Sequence, residues 1–298
     1  MSDPSDRYQP HADPFGGELP ERRSFADSAA VVLPVPFERT TSYVSGTRLG
    51  PGELLRASAQ VELWDEELGV DLHGRGMFTL GDVDLSKGTL TDAMAELRRI
   101  AGNLLDTGKF LVMLGGEHSI TSPVVAAAAA RHPGLSVLQL DAHADLRDSY
   151  LGEAHSHACA MRRTLDFAPV VQVGIRNISA EEAAALPSLR STIFYDWNMR
   201  NDPQWIDRVV ASLSETVYIT IDLDGFDPGM VPAVGTPEPG GFSWREATSL
   251  LRKVFEQRRV VACDVVELCP IAGMVSSNFI AAKLVYKLLT YQFALGQR

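Results

Sequence analysis

The stretch Leu135-Ser136-Val137-Leu138-Gln139-Leu140-Asp141-Ala142-His143-Ala144-Asp145 sets the fold class. Residues 135–140 form a short, mainly apolar run, the pattern of a strand buried on both faces of a parallel sheet. The run then meets Asp141, His143 and Asp145, three groups that titrate or bind metal, spaced by two small alanines. Working outward, comparable runs occur at 30–35, 110–114, 170–173, 217–221 and 260–266. Between them, helical spacing occupies 90–105, 119–131, 180–186, 203–213, 243–255 and 278–293. This alternation predicts an α/β fold of three layers, α/β/α, with helices on both faces of a central parallel sheet. No linker-like stretch or repeat divides the chain, so residues 29–298 read as a single domain. Residues 1–28, rich in Pro, Gly, Asp and Ser without periodicity, read as an arm lying on the body or on a neighbouring subunit.

With 298 residues, 45% of them hydrophobic and 22% charged, the chain has the profile of a soluble protein with a sizeable core. Lys and Arg number 27 against 38 Asp and Glu, a formal net charge of -11. Such a surface repels phosphate backbones, which argues against nucleic acid and for cationic small molecules. Cys159, Cys263 and Cys269 are an odd number without metal-type spacing, as expected of buried thiols in a reducing compartment. Residues 1–23 lack the apolar core of a secretory signal. The longest apolar run, 124–130, falls far short of the roughly 18 residues that suggest a membrane span. A cytoplasmic protein without a membrane partner is expected.

In open parallel sheets, ligands sit beyond the carboxyl ends of the strands. Four predicted strands end there in chemistry-bearing residues: Gly115-Gly116-Glu117-His118, Asp141 to Asp145, Asp222-Leu223-Asp224, and Glu267. Residues at i, i+2 and i+4 of an extended backbone share a face, so Asp141, His143 and Asp145 can point one way, as can Asp222 and Asp224. The glycines before His118 are expected to permit a tight turn. Taken singly, each aspartate reads as a helix cap or turn residue. Taken together, four carboxylates would repel one another unless cations intervene. Two divalent ions balance four carboxylates and leave one imidazole for each ion. Oxygen and nitrogen donors without thiolate favour Mn²⁺, ahead of Fe, Co, Ni or Zn. Two such ions sharing a water would hold hydroxide beside an electrophilic carbon, which is hydrolase chemistry. Glu267 ends an apolar strand and needs a cation or a donor. A substrate guanidinium would supply one, and so would an internal arginine such as Arg176.

These motifs resemble the ureohydrolase family, the arginase and agmatinase group. The resemblance runs from Val31 to Leu289 through Gly46-Thr47-Arg48-Leu49-Gly50-Pro51, Leu114-Gly115-Gly116-Glu117-His118-Ser119 and Asp141-Ala142-His143-Ala144-Asp145. It continues through Ser156-His157-Ala158, Gly174-Ile175-Arg176, Asp222 to Pro228, Gly235 to Gly241 and Asp264-Val265-Val266-Glu267. It implies an arginase-like fold binding two Mn²⁺ per subunit. His118, Asp141, Asp145 and Asp222 would hold one ion, and Asp141, His143, Asp222 and Asp224 the other. It implies that a bridging hydroxide attacks the guanidinium carbon, that Glu267 orients the guanidinium, and that Asp145 carries a proton to the leaving nitrogen. His157 would be a proton shuttle and Asp227 a support for the metal aspartates, with His155 a loop residue. Arginase-type members carry Asn where this chain has Arg147, a departure that looks like agmatinases. The implied reaction is agmatine to putrescine and urea, with N1-aminopropylagmatine and guanidinobutyrate as alternatives and a catalytically silent member as a further one. Asp148 and Glu153 lie between the metal motif and His157, either facing the substrate's distal amine or solvated. The resemblance also implies a homo-oligomer, a trimer or hexamer.

Overall fold

The structure, a computed structural model, describes residues 8–17, 24–72 and 75–296. Among these residues lie ten strands: β1 Ala30–Val35, β2 Trp64–Asp65, β3 Val70–Asp71, β4 Met77–Thr79, β5 Phe110–Gly115, β6 Ser136–Leu140, β7 Val170–Ile175, β8 Ser191–Tyr195, β9 Thr216–Asp222 and β10 Arg259–Val266. The helices are α1 Gly50–Ser58, α2 Leu90–Leu105, α3 Thr121–Ala129, α4 Ala160–Thr164, α5 Ala180–Ala185, α6 Asp196–Met199, α7 Trp205–Ser212, α8 Trp244–Gln257 and α9 Ser276–Ala294. Eight strands form one parallel sheet in the order β4-β1-β5-β10-β9-β6-β7-β8, and β2 with β3 makes a separate antiparallel hairpin. The sheet contains all six predicted strands plus β4 and β8 at its edges. Both additions escape an apolar-run criterion for physical reasons: β4 has three residues, and no residue of β8 is fully buried.

Side chains of the central strands alternate between two cores. Leu111 and Met113 of β5 join residues of α2, α3 and α4, whereas Val112 and Leu114 join residues of α1, α7, α8 and α9. Helix α3 is buried from Thr121 to Ala128, which explains its lack of a polar face and fixes the turn that carries His118. Capping boxes start three helices at Thr89/Asp92, Ser179/Glu182 and Ser243/Glu246.

Part of the N-terminal segment lies against the body of its own subunit. Pro10 bridges to Leu80, the Phe15 N–H donates to Thr79 Oγ1 at 2.8 Å, and the Phe15 ring is buried. The rest of the predicted arm, residues 1–7 and 18–23, lies outside the described residues. The three cysteines are buried and unpaired. No helix among the described residues is long and apolar enough to cross a membrane.

The two glycines before His118 lead into the expected bend, at Gly116 and Glu117. Both keep negative φ. At Gly116 the need is close approach: a Cβ there would overlap the carbonyl oxygen of Phe37, and the neighbouring Glu117 N–H donates to that oxygen at 2.9 Å. Gly116→Ala is expected to lower stability by about 1–3 kcal/mol through forced backbone displacement. A denaturant midpoint equal to that of the unsubstituted protein would contradict this packing.

Candidate metal centre

The four central strands end level with one another. Leu114 of β5 lies beside Val265 of β10, Val266 beside Asp222 of β9, and Ile221 beside Leu140 of β6. The residues that follow each strand therefore emerge at one edge: His118 after β5, Glu267 after β10, Asp224 after β9, and Asp141 to Asp145 after β6. Strand β10, the last in sequence, sits between β5 and β9 and so brings Glu267 between His118 and the β9 aspartates.

The side chains meet closely. His118 Nδ1 lies 3.1 Å from Asp141 Oδ2, 3.1 Å from Asp145 Oδ2 and 3.3 Å from Asp222 Oδ2. None of these oxygens is aligned for a hydrogen bond, so a buried ring nitrogen faces three carboxylates without a hydrogen-bond partner. His143 Nδ1 stands 2.9 Å from Asp224 Oδ2 and 3.7 Å from Asp141 Oδ1. Two ligand triads result, His118–Asp141–Asp145 and Asp141–His143–Asp224, each with ligand atoms within 4.8 Å of one another. Asp141 belongs to both, and Asp222 adjoins the first through His118. Donors fix the carboxylates: Gln139 Nε2 and the His143 N–H each reach Asp141 at 2.6 Å, and the Asp224 N–H reaches Asp222 at 2.9 Å. Asp145 and Glu267 adopt left-handed φ of 53° and 65°, backbone strain held in place by the surrounding structure.

The charges call for cations. Burial pushes Asp222 and Glu267 well above the usual carboxylate range, and burial with the neighbouring Asp141 charge raises Asp145. Asp224 is raised for the same two reasons. Burial also opposes the charge on Asp141, but the neighbouring imidazoles of His118 and His143 outweigh it and keep that carboxyl low. Burial disfavours charged imidazole too, yet the carboxylates push His118 well up and His143 up to about 12. Clustered carboxylates, two imidazoles and an unpartnered Nδ1 fit a pair of divalent cations.

Of these groups His118, His143, Asp145 and Asp222 floor a cavity of about 200 Å³ that His157, Glu182 and Glu267 also line. Glu267 Oε1 accepts the His118 N–H at 2.7 Å. Arg176, the internal alternative for Glu267, instead donates to the carbonyls of Gly174, Asp224, Gly225, Phe226, Glu238 and Pro239. His157 is gripped from the 36–47 loop. Its N–H donates to Thr40 Oγ1 at 2.9 Å, with its Nδ1 3.3 Å from the same hydroxyl. Thr40 in turn donates to buried Glu117 at 2.7 Å. Asp148 and Glu153 do not line the cavity: Asp148 is exposed and pairs with Arg163 at 2.6 Å, and Glu153 is exposed on its loop. Asp227 holds its own turn through the Gly229 N–H at 2.7 Å.

Several residues at the site were not singled out by sequence. Glu182 caps α5 with one carboxylate oxygen and accepts the Leu146 N–H with the other, at 2.8 Å. Gln139 beneath Asp141 is itself held by Gln172 Nε2 at 2.6 Å. The available signals were a capping box at Ser179-Ala180-Glu181-Glu182 and lone glutamines inside apolar strands.

The model of the arginase family matches residues 28–290. An N(1)-aminopropylagmatine ureohydrolase of Synechocystis sp. is 43% identical over 276 residues, covering 90% of each chain. An agmatinase of Bacillus anthracis is 32% identical over 272 residues, covering 89% of this chain and 92% of its own. The crystal structure of agmatine ureohydrolase of Thermoplasma volcanium superposes with a TM-score of 0.84 at 29% identity, covering 96% of this chain and 94% of its own. The chain accordingly belongs to the arginase family, the ureohydrolases, hydrolases that act on the carbon–nitrogen bonds of amidines.

Proposed function

We propose that this ureohydrolase releases urea from a linear cationic guanidine, with N(1)-aminopropylagmatine ahead of agmatine. One observation carries the order: identity is 43% to the relative named for the aminopropyl compound and 32% to the agmatinase. The sequence motifs taken alone point first to agmatine. The cavity supports a cationic guanidinium end, because Glu267 lines it and has no Lys or Arg ion pair among the described residues. It also disfavours a carboxylate end. Arg147, the only Lys or Arg lining the cavity among the described residues, stands 3.7 Å from Glu181 and 3.9 Å from Glu182. That pairing weighs against arginine and guanidinobutyrate.

His118, Asp141, Asp145, Asp222, His143 and Asp224 would hold the cations, proposed to be Mn²⁺ on the donor set. Two bound divalent ions supply activation of a water and stabilisation of charge at the attacked carbon. The protein's own groups do the rest. Glu267, buried against an N–H donor, pairs with the guanidinium and aims its carbon at the aspartate cluster. Asp145, in the same cavity, takes the proton of the attacking water and gives it to the leaving nitrogen. His157, half-exposed at the mouth, exchanges protons with solvent at Nε2 while Thr40 holds its other edge.

A panel of N(1)-aminopropylagmatine, agmatine, arginine and guanidinobutyrate, with urea and amine measured on Mn²⁺-loaded protein, tests the substrate. The highest kcat/KM is expected for the aminopropyl compound; an equal or higher value for agmatine would reverse the order, and no urea from any would refute the function. Glu267→Gln should reduce kcat/KM about 10- to 100-fold, the equivalent of ~1.5–3 kcal/mol for a charged hydrogen bond. His157→Ala should retain its metal and lower kcat by roughly 10²–10⁴. Full activity in either variant would remove its assigned role. Metal-free His118 and His143 hold protons at neutral pH, and a ligating imidazole must shed one. Metal binding should therefore release protons, and apparent affinity should rise with pH. Calorimetry in buffers of different ionisation enthalpy reads this directly, and binding without proton release would contradict it.

A further inference from the structure

Behind the metal-facing cluster lies a carboxylate that the mechanism above does not use. Asp264 of β10 is fully buried, and no Lys or Arg ion pair reaches it among the described residues. An isolated buried carboxylate is costly unless donors satisfy it. Three hydroxyls do so: Thr220 Oγ1 donates to Oδ1 at 2.6 Å, and Tyr218 Oη and Thr121 Oγ1 donate to Oδ2 at 2.6 and 3.0 Å. Thr220 also touches the cluster, with its Oγ1 2.9 Å from His118 Nε2. Strand register makes the arrangement rigid. Asp264 lies directly beside Thr220 across the β10/β9 ladder, and Tyr218, Thr220 and Asp222 share one face of β9 at i, i+2 and i+4.

Proton counting gives this chain a direction. A threonine hydroxyl has one proton. Thr220 gives its proton to Asp264, so towards His118 it can only accept, and His118 must donate from Nε2. The ring is thereby fixed with Nδ1 facing Asp141, Asp145 and Asp222, the nitrogen left without a hydrogen-bond partner. Nδ1 is then the atom that ligates a cation. We infer that Asp264 is a positioning residue of the metal centre, which acts through Thr220 to fix the orientation and donor direction of His118. This rests on the two-cation reading of the cluster, but not on the identity of the substrate.

The direction can be reversed by a near-isosteric change. In Asp264→Asn, Tyr218 and Thr121 still donate to the amide oxygen, and the amide NH₂ faces Thr220. Thr220 must then accept from it and donate to His118 Nε2, which moves the ring proton to Nδ1 and blocks ligation. Removal of an outer hydrogen-bond partner of a ligating histidine typically weakens metal binding 10- to 100-fold. Chelator competition should show such a loss for the tighter or the weaker Mn²⁺ site in Asp264→Asn and in Thr220→Val. Thr220→Ser, which keeps the hydroxyl, should stay within about threefold of the unsubstituted protein. Tyr218→Phe takes a hydrogen bond from the other carboxylate oxygen, so it should lower the unfolding midpoint while leaving metal affinity within about threefold. That variant separates positioning from folding. In Zn²⁺-loaded protein labelled with ¹⁵N-histidine, His118 should show a slowly exchanging Nε2 proton, lost in Thr220→Val.

Unchanged metal affinity in folded Asp264→Asn, or a proton on Nδ1 with Nε2 bare in the Zn²⁺-loaded protein, would overturn the inference. Equal affinity losses in Tyr218→Phe and Asp264→Asn would overturn it as well, because the effect would then be structural. None of these readouts uses turnover, so a failed substrate panel and a failed positioning role remain distinguishable.

Discussion

Mutual repulsion among carboxylates that have been taken out of water is the constraint on which this molecule is built. Asp141, Asp145, Asp222 and Asp224 are each buried, with His118 3.1 Å from Asp141 and His143 2.9 Å from Asp224. Burying one unpaired charge in a protein interior costs several kcal/mol, and a group of them is tolerated only if the scaffold has a reason to hold them together. The sheet supplies the rigidity. Four adjacent strands end in register, and their backbone N–H groups and buried glutamines hold the carboxylates in place. A preformed cluster of this kind stores unfavourable charge in the protein alone and releases it when cations enter.

The same logic explains the strained positions. Asp145 and Glu267 sit at left-handed φ, where a residue with a side chain is rare, and both are cavity-lining acids. The 36–47 loop is secured over the cavity by Glu117, which accepts the N–H groups of Arg39 and Thr40 and the hydroxyls of Thr40 and Ser119. One buried carboxylate thus fixes the segment that in turn orients His157.

The interior strands and the residues at their ends were legible in the sequence because both depend on local pattern. A continuous apolar run marks a strand covered on two faces, and an Asp-x-His-x-Asp run places three side chains on one side wherever the strand sits. What escaped depends on partners distant in the chain. Thr40 meets Glu117 across 77 residues, and His118 meets Thr220 across 102. Nothing in the spacing of Asp148 reveals that Arg163 occupies it, and nothing at Gly116 reveals that Phe37 leaves no room for a side chain. Of the acids near the site, the fold places Asp145 and Glu267 on the cavity and pairs Asp148 with Arg163 outside it.

The place of β10 has a consequence for how the molecule comes into being. This strand enters between β5 and β9, which cannot become neighbours of one another without it. Until residues 259–266 have been made, the sheet is two unconnected halves: β4, β1 and β5 with His118, and β9, β6, β7 and β8 with the aspartates. Pairings this distant in the chain form late, because loop closure opposes them until other contacts reward it. Until then His118 stays apart from the five ligand residues at the ends of β6 and β9, so the His118–Asp141–Asp145 triad closes only once β10 has joined the two halves.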